Sequence, residues 1–364
     1  MRKERQHIDA MKLDHHIKER LNANLHSPNP NPLDMLIGGC IRGRLGSSGV
    51  NCGKMADQEM VSDSSVMEED SAEVRIVNLD PETEDVDLTH GRIDKIQNFE
   101  RLRCVKSLCL RRNEIKKLEN LETLTSLEEL DFYDNQISKI ENLDRLVNLR
   151  ILDLSFNVIK VIENLNSLTK LEKLYLVQNK IGRIEGLEHL TELTMVELGA
   201  NKIRVLEGLE HLTKLESLFV GKNKITELQN LSGLCSLKVL SIQSNRIVEL
   251  KGLEHLESLE ELYISHNGIE EIKGLESLTK LNTLDLASNR IKRISNVGHL
   301  LNLEEFWFND NQLEHWEDLD ELAKCPKLHT VYLERNPLSR DTAYRRKVKL
   351  ALPALKQIDA TLCH

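Results

Sequence analysis

A row of acidic and aromatic side chains recurs with a 22-residue period along the chain and is its strongest candidate for binding chemistry. In order the row is Cys109, Asp131, Asp153, Tyr175, Glu197, Phe219, Ser241, Tyr263, Asp285, Trp307 and, after a slightly longer last step, Tyr332. Five of these residues are aromatic, although aromatic residues make up 4% of the chain, and four are acidic. Exposed aromatic rings dominate the energetics of many protein interfaces, and carboxylates pair with Lys or Arg of a partner. The row therefore predicts a binding stripe, with simple cross-strand packing as the alternative.

Motifs for catalysis are incomplete in this sequence. Residues 49–54 resemble a phosphate-binding loop, but three residues separate the glycines where four are needed, and Met55 replaces the Ser or Thr that binds magnesium. His189, His211 and His255 share one position of the 22-residue period, which favours solvent-facing positions over a metal site. The sequence therefore predicts no enzyme activity, no metal site and no cofactor.

The secondary-structure elements that would position the row come from a sequence pattern that repeats between residues 91 and 336. Asparagines recur with the same 22-residue period from Asn113 to Asn311, and a slightly longer last step reaches Asn336. Two alternating large apolar residues, most often leucines, precede each asparagine, as Leu152 and Leu154 do before Asn157, and Ile or Leu stands two places after it. This is the pattern of leucine-rich repeats. The alternating leucines predict a strand, and the later leucines at steps of three predict a tight, partly 3₁₀ return path.

Stacking of such units predicts an α/β repeat fold, a leucine-rich-repeat solenoid with a parallel sheet on its concave side. We expect 3₁₀ or short helices on the convex side and a helical cap at the C-terminus. The row lies between the paired leucines of each strand, so its side chains should point onto the concave face.

The predicted organisation has three parts. Residues 1–75 form a disordered tail, mildly basic over 1–56 and acidic over 57–75. Residues 76–336 form the solenoid, with about 12 repeats, and residues 337–364 form the C-terminal cap. The change in composition near Met55 suggests the hypothesis that residues 1–54 are an upstream extension.

Composition narrows the classes of function. The chain has 364 residues, a net charge of −10 and a mean hydropathy of −0.38. A broad acidic field argues against direct binding of nucleic acid, and no run of about 18 apolar residues predicts a membrane span. The seven cysteines are scattered without a C-x-x-C pair, which predicts neither a disulfide framework nor zinc. We therefore expect a soluble protein in a reducing compartment.

Several segments resemble a known family of repeat proteins. They are N-Q-L-E-H-W over 311–316, Y-L-E-R-N-P over 332–337, Y-R-R-K-V-K-L-A-L-P over 344–353 and Q-I-D-A over 357–360. With the repeat length and number, they make the chain similar to regulatory subunit seven of type-1 serine/threonine protein phosphatase, over about residues 76–364.

In that family the concave face grips the catalytic subunit of the phosphatase. The resemblance places the contacts at Asp153, Tyr175, Glu197, Phe219, Asp285, Glu305, Trp307 and Tyr332, and the row itself adds Tyr263 to the predicted partner-binding site. Tyr175 departs from the Phe expected at its position. The resemblance also implies a protein of nucleus and cytoplasm, a role in mitotic phosphatase control and, in some complexes, a third, inhibitory subunit. Inhibition and maturation of the phosphatase both stay open.

A linear motif does not explain phosphatase binding here. Many phosphatase partners use Val or Ile two residues before Phe or Trp, and no Phe or Trp of this chain is preceded in that way. The concave face would therefore have to carry the binding.

The alternative function is a repeat scaffold of a ribonucleoprotein or dynein complex, although repeat arrays there are usually shorter. Ser62, Ser64 and Ser65 lie beside acidic residues 68–70 and could accept phosphate, with a solubilising tail as the favoured alternative.

Overall fold

The computed structural model describes residues 79–363. The predicted tail over 1–75, its serine cluster, the loop-like residues 49–54 and the hypothesis of an upstream extension lie outside the described residues, as do the first residues of the predicted solenoid. Within 79–363, no helix combines the length and the apolar character needed to cross a membrane.

One sheet of fourteen short strands follows the order of the sequence. The strands are β1 (Asp85–Asp87), β2 (Ser107–Cys109), β3 (Glu129–Asp131), β4 (Ile151–Asp153), β5 (Lys173–Tyr175), β6 (Met195–Glu197), β7 (Ser217–Phe219), β8 (Val239–Ser241), β9 (Glu261–Tyr263), β10 (Thr283–Asp285), β11 (Glu305–Trp307), β12 (Thr330–Tyr332), β13 (Gln357–Ile358) and β14 (Thr361–Leu362). Neighbours pair in parallel up to β13, and β14 pairs with β13 in the antiparallel sense. The fold class predicted from the repeat pattern, a parallel-sheet solenoid, is confirmed.

The constant repeat length fixes the register of the sheet. Leu108 lies opposite Leu130, and Cys109 lies opposite Asp131, so equivalent residues of successive repeats are always neighbours. The middle residue of each strand is buried, whereas most of the flanking residues keep some exposure. Since side chains alternate between the two faces of a strand, the middle residues enter the core and the flanking residues form the inner face.

The return path on the convex side is built from single turns. Leu124 N–H donates to the carbonyl of Leu121 at 3.0 Å, and Leu127 N–H donates to that of Leu124 at 3.1 Å, so each three-residue step closes one 3₁₀-type hydrogen bond. The bonds of successive turns begin three residues apart, so the turns do not join into a continuous helix before Trp316. Each turn region follows a residue such as Asn120, whose φ of 58° is left-handed. All three leucines are fully buried.

The asparagine ladder joins each repeat to the one before it. The side-chain amide of Asn201 donates to the carbonyl of Leu176, one repeat earlier, at 2.8 Å and to that of Leu198 at 3.1 Å. Its side-chain oxygen accepts the N–H of Ile181 at 3.0 Å. The same bonds recur from Asn113 to Asn336. The ladder therefore satisfies backbone groups at the end of every strand, which would otherwise be buried without partners.

A second ladder, which the sequence analysis missed, lies at the start of the return path. Positions 120, 142, 164, 186, 208, 230, 252, 274 and 296 all have positive φ, and only Asn and Gly occupy them. Where Asn is present, its side chain donates to a carbonyl of the previous repeat, as Asn164 does to Ile140 at 2.7 Å. Asn and Gly are the residues that tolerate this left-handed conformation, so their shared spacing was the available sequence signal.

Replacing Gly252 with alanine should destabilise the solenoid. Gly252 has a φ of +88°, and a Cβ placed on it would clash with the carbonyl oxygen of Leu228. We expect the free energy of unfolding to fall by about 2 kcal/mol, because strain and backbone displacement add. Urea denaturation measures the change, and Gly182→Ala is the control, since its Cβ would meet nothing within 4 Å. Equal effects of the two substitutions would contradict this account.

The C-terminal cap covers the last repeat. A 3₁₀ helix over Trp316–Asp318 leads into α1 (Leu319–Leu322), and a 3₁₀ helix over Pro337–Arg340 precedes α2 (Tyr344–Ala351). The hydroxyl of Tyr344 donates to the carboxylate of Asp359 at 2.9 Å, and the same carboxylate accepts the N–H of Leu333 at 2.8 Å. In the sheet register Asp359 follows β13 as Tyr332 ends β12, and its carboxylate ties α2 to the residues that follow β12.

Candidate binding surface

The sheet register brings the nine predicted site residues onto one inner face in two groups. Eight are the last residues of their strands, and Glu305 is the first residue of β11. We define the N-terminal cluster as Asp153, Tyr175, Glu197 and Phe219 on β4 to β7, and the C-terminal cluster as Tyr263, Asp285, Glu305, Trp307 and Tyr332 on β9 to β12. Ser241 of β8 separates them and is buried. Their role in partner binding stays a prediction.

The aromatic rings of the C-terminal cluster pack on one another. Trp307 meets Tyr332 with ring centroids 5.6 Å apart and Tyr263 with centroids 6.2 Å apart, both edge to face. The two tyrosines each keep 6% exposure, while Trp307 is half-buried. The sequence predicts exposed rings here, but the two tyrosines are buried and pack edge to face on Trp307. Such aromatic pairs add stability beyond the area that they bury.

The polar ends of these rings differ in their hydrogen bonding. The Tyr263 hydroxyl donates to Glu261 at 2.7 Å, and the Tyr332 hydroxyl accepts from the side-chain amide of Gln357 at 2.7 Å. Burial, with the Glu305 carboxylate, raises the pKa of Tyr332 to about 12. The indole N–H of Trp307 is buried and has no hydrogen-bond partner among residues 79–363. An unmet donor of this kind is costly, because it has lost its water without gaining another hydrogen-bond partner.

The aspartates of the row have a structural task that the sequence analysis missed. The carboxylates of Asp131, Asp153 and Asp285 each accept the backbone N–H two residues on, at 2.9, 2.8 and 3.0 Å. Each therefore closes an Asx-type turn where the strand ends. Burial raises the pKa of Asp285 to about 6, and burial with the neighbouring Asp153 carboxylate raises the pKa of Asp131 to about 7.

Glu197 is the acidic residue of the row whose carboxylate does not accept a backbone N–H. It lies between Tyr175 and Phe219 in the sheet and is half-buried. Neither a hydrogen-bond donor nor a cation reaches its carboxylate from within the described chain. Burial, followed by repulsion from the Asp153 carboxylate, raises the pKa of Glu197 to about 8. The arrangement is an acidic pocket walled by two aromatic rings, which is suited to a cation.

Two glycines leave room beside this pocket. Gly199 and Gly221 follow the strands of Glu197 and Phe219, on the same inner face. A Cβ on Gly199 would meet the carbonyl oxygen of Gly221 only at 3.7 Å, an ordinary contact, so the solenoid itself does not require glycine there. The inner face therefore carries no side chain at these two positions next to Glu197, which lets another chain approach closely.

A further aromatic group on the inner face was not among the predicted site residues. Tyr133 and Phe156 lie with ring centroids 4.8 Å apart, and the Arg111 guanidinium lies 4.3 Å from the centre of the Tyr133 ring. Arg111 also pairs with Asp131 at 3.2 Å. Phe156 has a φ of 57°, an unusual conformation for an aromatic residue. Its place one residue before a ladder asparagine was the sequence signal from which this conformation could have been predicted.

Replacing Glu197 with glutamine should change how stability depends on pH. In the unfolded chain this carboxyl is ionised above its ordinary pKa of 4.5, whereas in the folded protein it keeps its proton up to about 8. Raising the pH through this window therefore favours the unfolded state. We expect Glu197→Gln to gain on the order of 1 kcal/mol over the wild type between pH 6.5 and 8, since solvent screens part of the effect.

Urea denaturation at several pH values measures this difference. Lys202→Gln, a charge-removing change at an exposed side chain further along the same repeat, is the control and should leave the pH dependence unaltered. Parallel stability curves for the wild type and Glu197→Gln would contradict the raised pKa.

The family comparisons agree with this architecture. Models described as leucine-rich repeats match residues 105–145, 147–189, 213–269 and 256–362. The chain is a leucine-rich-repeat protein. Among solved structures, an internalin of Listeria monocytogenes is similar with a TM-score of 0.64 and 26% identity, over 80% of this chain and 93% of that one. A solenoid of this class is a scaffold type rather than a catalytic one.

Two curated relatives of this leucine-rich-repeat protein carry the name protein phosphatase 1 regulatory subunit 7. The Xenopus tropicalis protein is 61% identical over 55 residues, which are 15% of this chain and 16% of the relative. The Homo sapiens protein is 56% identical over 89 residues, which are 22% of this chain and 24% of the relative. The matched stretches thus span less than a quarter of either relative. Both relatives are named as regulatory subunits and not as enzymes.

Proposed function

We propose that this leucine-rich-repeat protein is a non-catalytic regulatory subunit of type-1 serine/threonine protein phosphatase. It binds the catalytic subunit through its concave face and controls the activity, maturation or localisation of that subunit. Two observations support the proposal: the relatives are named as regulatory subunits of this phosphatase, and the inner face carries the acidic and aromatic clusters. The observation that carries the proposed mode of binding is the unpartnered carboxylate of Glu197 between two rings.

The N-terminal cluster suggests what it recognises. A Lys or Arg side chain of the phosphatase that enters between Tyr175 and Phe219 would meet the Glu197 carboxylate and the faces of two rings. The low surface at Gly199 would admit the backbone that carries this side chain. A cation there favours the ionised carboxyl, so binding releases a proton and strengthens as the pH rises towards 8.

The C-terminal cluster supplies an apolar contact of a different kind. Trp307 keeps part of its ring exposed while Tyr263 and Tyr332 hold the ring in place, so little side-chain entropy is lost on binding. Rigid, half-buried tryptophans of this kind are frequent hot spots. We expect Glu305, which is half-buried on the same face, to pair with a basic residue at the edge of the contact.

Binding of the purified full chain to the purified phosphatase catalytic subunit, measured by calorimetry, tests the proposal. A saturable one-to-one complex is the expected result. Absence of binding at micromolar concentrations would overturn it. Capture of splicing proteins or dynein subunits in place of the phosphatase would support the scaffold function instead.

A competition experiment separates the concave face from the linear-motif groove of the phosphatase. A peptide with the motif of basic residue, Val, any residue and Phe should leave the complex intact, because no Phe or Trp of this chain follows Val or Ile at that spacing. Displacement by the peptide would contradict binding through the concave face. A free groove would let a third, inhibitory subunit join the complex.

We propose that the complex occurs in the nucleus and cytoplasm, with a role in mitotic phosphatase control.

A further inference from the structure

Charge is segregated between the solenoid and its C-terminal end. Residues 79–339 carry 33 Lys and Arg against 45 Asp and Glu, whereas residues 340–363 carry six Lys and Arg against two Asp. One of these two, Asp359, is buried and hydrogen-bonded to backbone amides. The cap is therefore a positive surface on the end of a negative molecule.

Three of the six cations serve the structure of the cap itself. Arg345 donates to the carbonyl of Ile358 at 2.7 Å, and Lys349 donates to that of Leu355 at 2.6 Å. Lys347 pairs with Asp341 and lies 4.8 Å from the centre of the Trp316 ring. These contacts explain half of the positive charge without any partner.

The other three cations make no such contact, and Arg346 acts within the cap only by helping to lower the pKa of Asp341, after Lys347. Arg340, Arg346 and Lys356 are exposed, and their side chains make no hydrogen bond or ion pair within residues 79–363. Leu350 follows Arg346 by one helical turn, so both side chains lie on the outward face of α2. Leu350 is 72% exposed, more than any other large apolar side chain in the described part of the chain.

We propose that the outward face of α2 docks an acidic amphipathic segment of another protein. An apolar side chain of that segment would cover Leu350 and its carboxylates would meet Arg346, while Arg340 and Lys356 add to the positive charge of the cap. This site is separate from the concave face, so it would let the protein hold a second partner while the proposed phosphatase site is occupied.

The charge pattern favours a short peptide over a nucleic acid or a membrane. Both of these are extended polyanions, which would bring negative charge close to the acidic solenoid as well as to the cap. A peptide segment can confine its carboxylates to the cap. The exposed leucine and arginine form a surface small enough to be covered by one face of a helical peptide. Membrane attachment needs a larger apolar area than this single leucine provides.

Fluorescence anisotropy with the full chain tests the proposal. The probe is a labelled helical peptide with Leu on one face and Glu on the others, and the comparison peptide has Ser in place of Leu. We expect Arg346→Glu/Leu350→Ser to weaken binding of the Leu/Glu peptide by at least about tenfold. Lys160→Glu/Val161→Ser is the matched control, since it changes the same charge and an exposed apolar side chain on the convex side of the solenoid.

Four results would overturn the proposal: no binding of the Leu/Glu peptide, equal loss in the matched control, equal binding of the Ser peptide, or tighter binding of a single-stranded oligonucleotide or of phosphatidylserine vesicles. Thermal melting checks that each variant folds, and Arg346→Gln alone repeats the test with a milder change. The cap variant should bind the phosphatase as the wild type does, so a failed peptide experiment leaves the proposed function intact.

Discussion

Alanine substitution of both Phe219 and Trp307 is expected to weaken binding to the phosphatase catalytic subunit by at least about 2 kcal/mol, or about thirtyfold in Kd. The two residues come from different clusters, and both keep part of their rings exposed on the inner face. Phe219 forms one wall of the pocket around Glu197, and Trp307 is held between two tyrosines. The double variant therefore removes the apolar anchor of each cluster. Calorimetric titration of the wild type and the variant measures the loss.

The control for this experiment removes apolar side chains from elsewhere on the surface. Val161 and Leu301 are 43% and 56% exposed and belong to the return path, away from the inner strands. Val161→Ala/Leu301→Ala should leave the affinity unchanged. Thermal melting must show that the Phe219→Ala/Trp307→Ala protein is folded at the temperature of the titration. A folded double variant with wild-type affinity would mean that the clusters are not the binding site.

The second large effect is expected from Asn201→Ala, which removes one rung of the asparagine ladder. The substitution leaves the carbonyl of Leu176 and the N–H of Ile181 without their side-chain partners inside the solenoid. Each buried polar group that loses its partner costs about 1 to 3 kcal/mol, so we expect the free energy of unfolding to fall by about 3 kcal/mol. Urea denaturation followed by circular dichroism measures the change.

The position of Asn201 predicts a further consequence. In a solenoid each repeat is stabilised by its neighbours, so a weak interface in the middle lets the two halves unfold separately. The Asn201→Ala transition should therefore be broader than that of the wild type. Asn302→Ala is the control, because the Asn302 side chain only donates to the carbonyl of Thr279 and accepts from Lys327, both at the surface. An equal loss of stability in both variants would contradict the importance of the ladder.

The sequence predicted the fold and the face on which to look for a site, because both follow from periodicity. A repeat of constant length places equivalent residues opposite one another, so Asp153, Tyr175 and Glu197 had to be neighbours once the strands were assigned. The alternation of leucines assigned the strands, and the ladder asparagines marked their ends. The second ladder of Asn and Gly was equally periodic, and it was missed only because it lies outside the strands.

What each residue of the row does was decided by the tertiary structure. The sequence treats Asp285 and Glu197 as equivalent acids, but the shorter side chain reaches the backbone N–H of Ala287, whereas the carboxylate of Glu197 finds no donor within the described chain. It also treats Tyr263 and Trp307 as equally exposed rings, although packing in the folded chain buries the tyrosine and leaves Trp307 half-buried. Periodicity determines which residues are neighbours. Side-chain length and the packing of neighbouring rings determine which of them are satisfied within the fold and which are left for a partner.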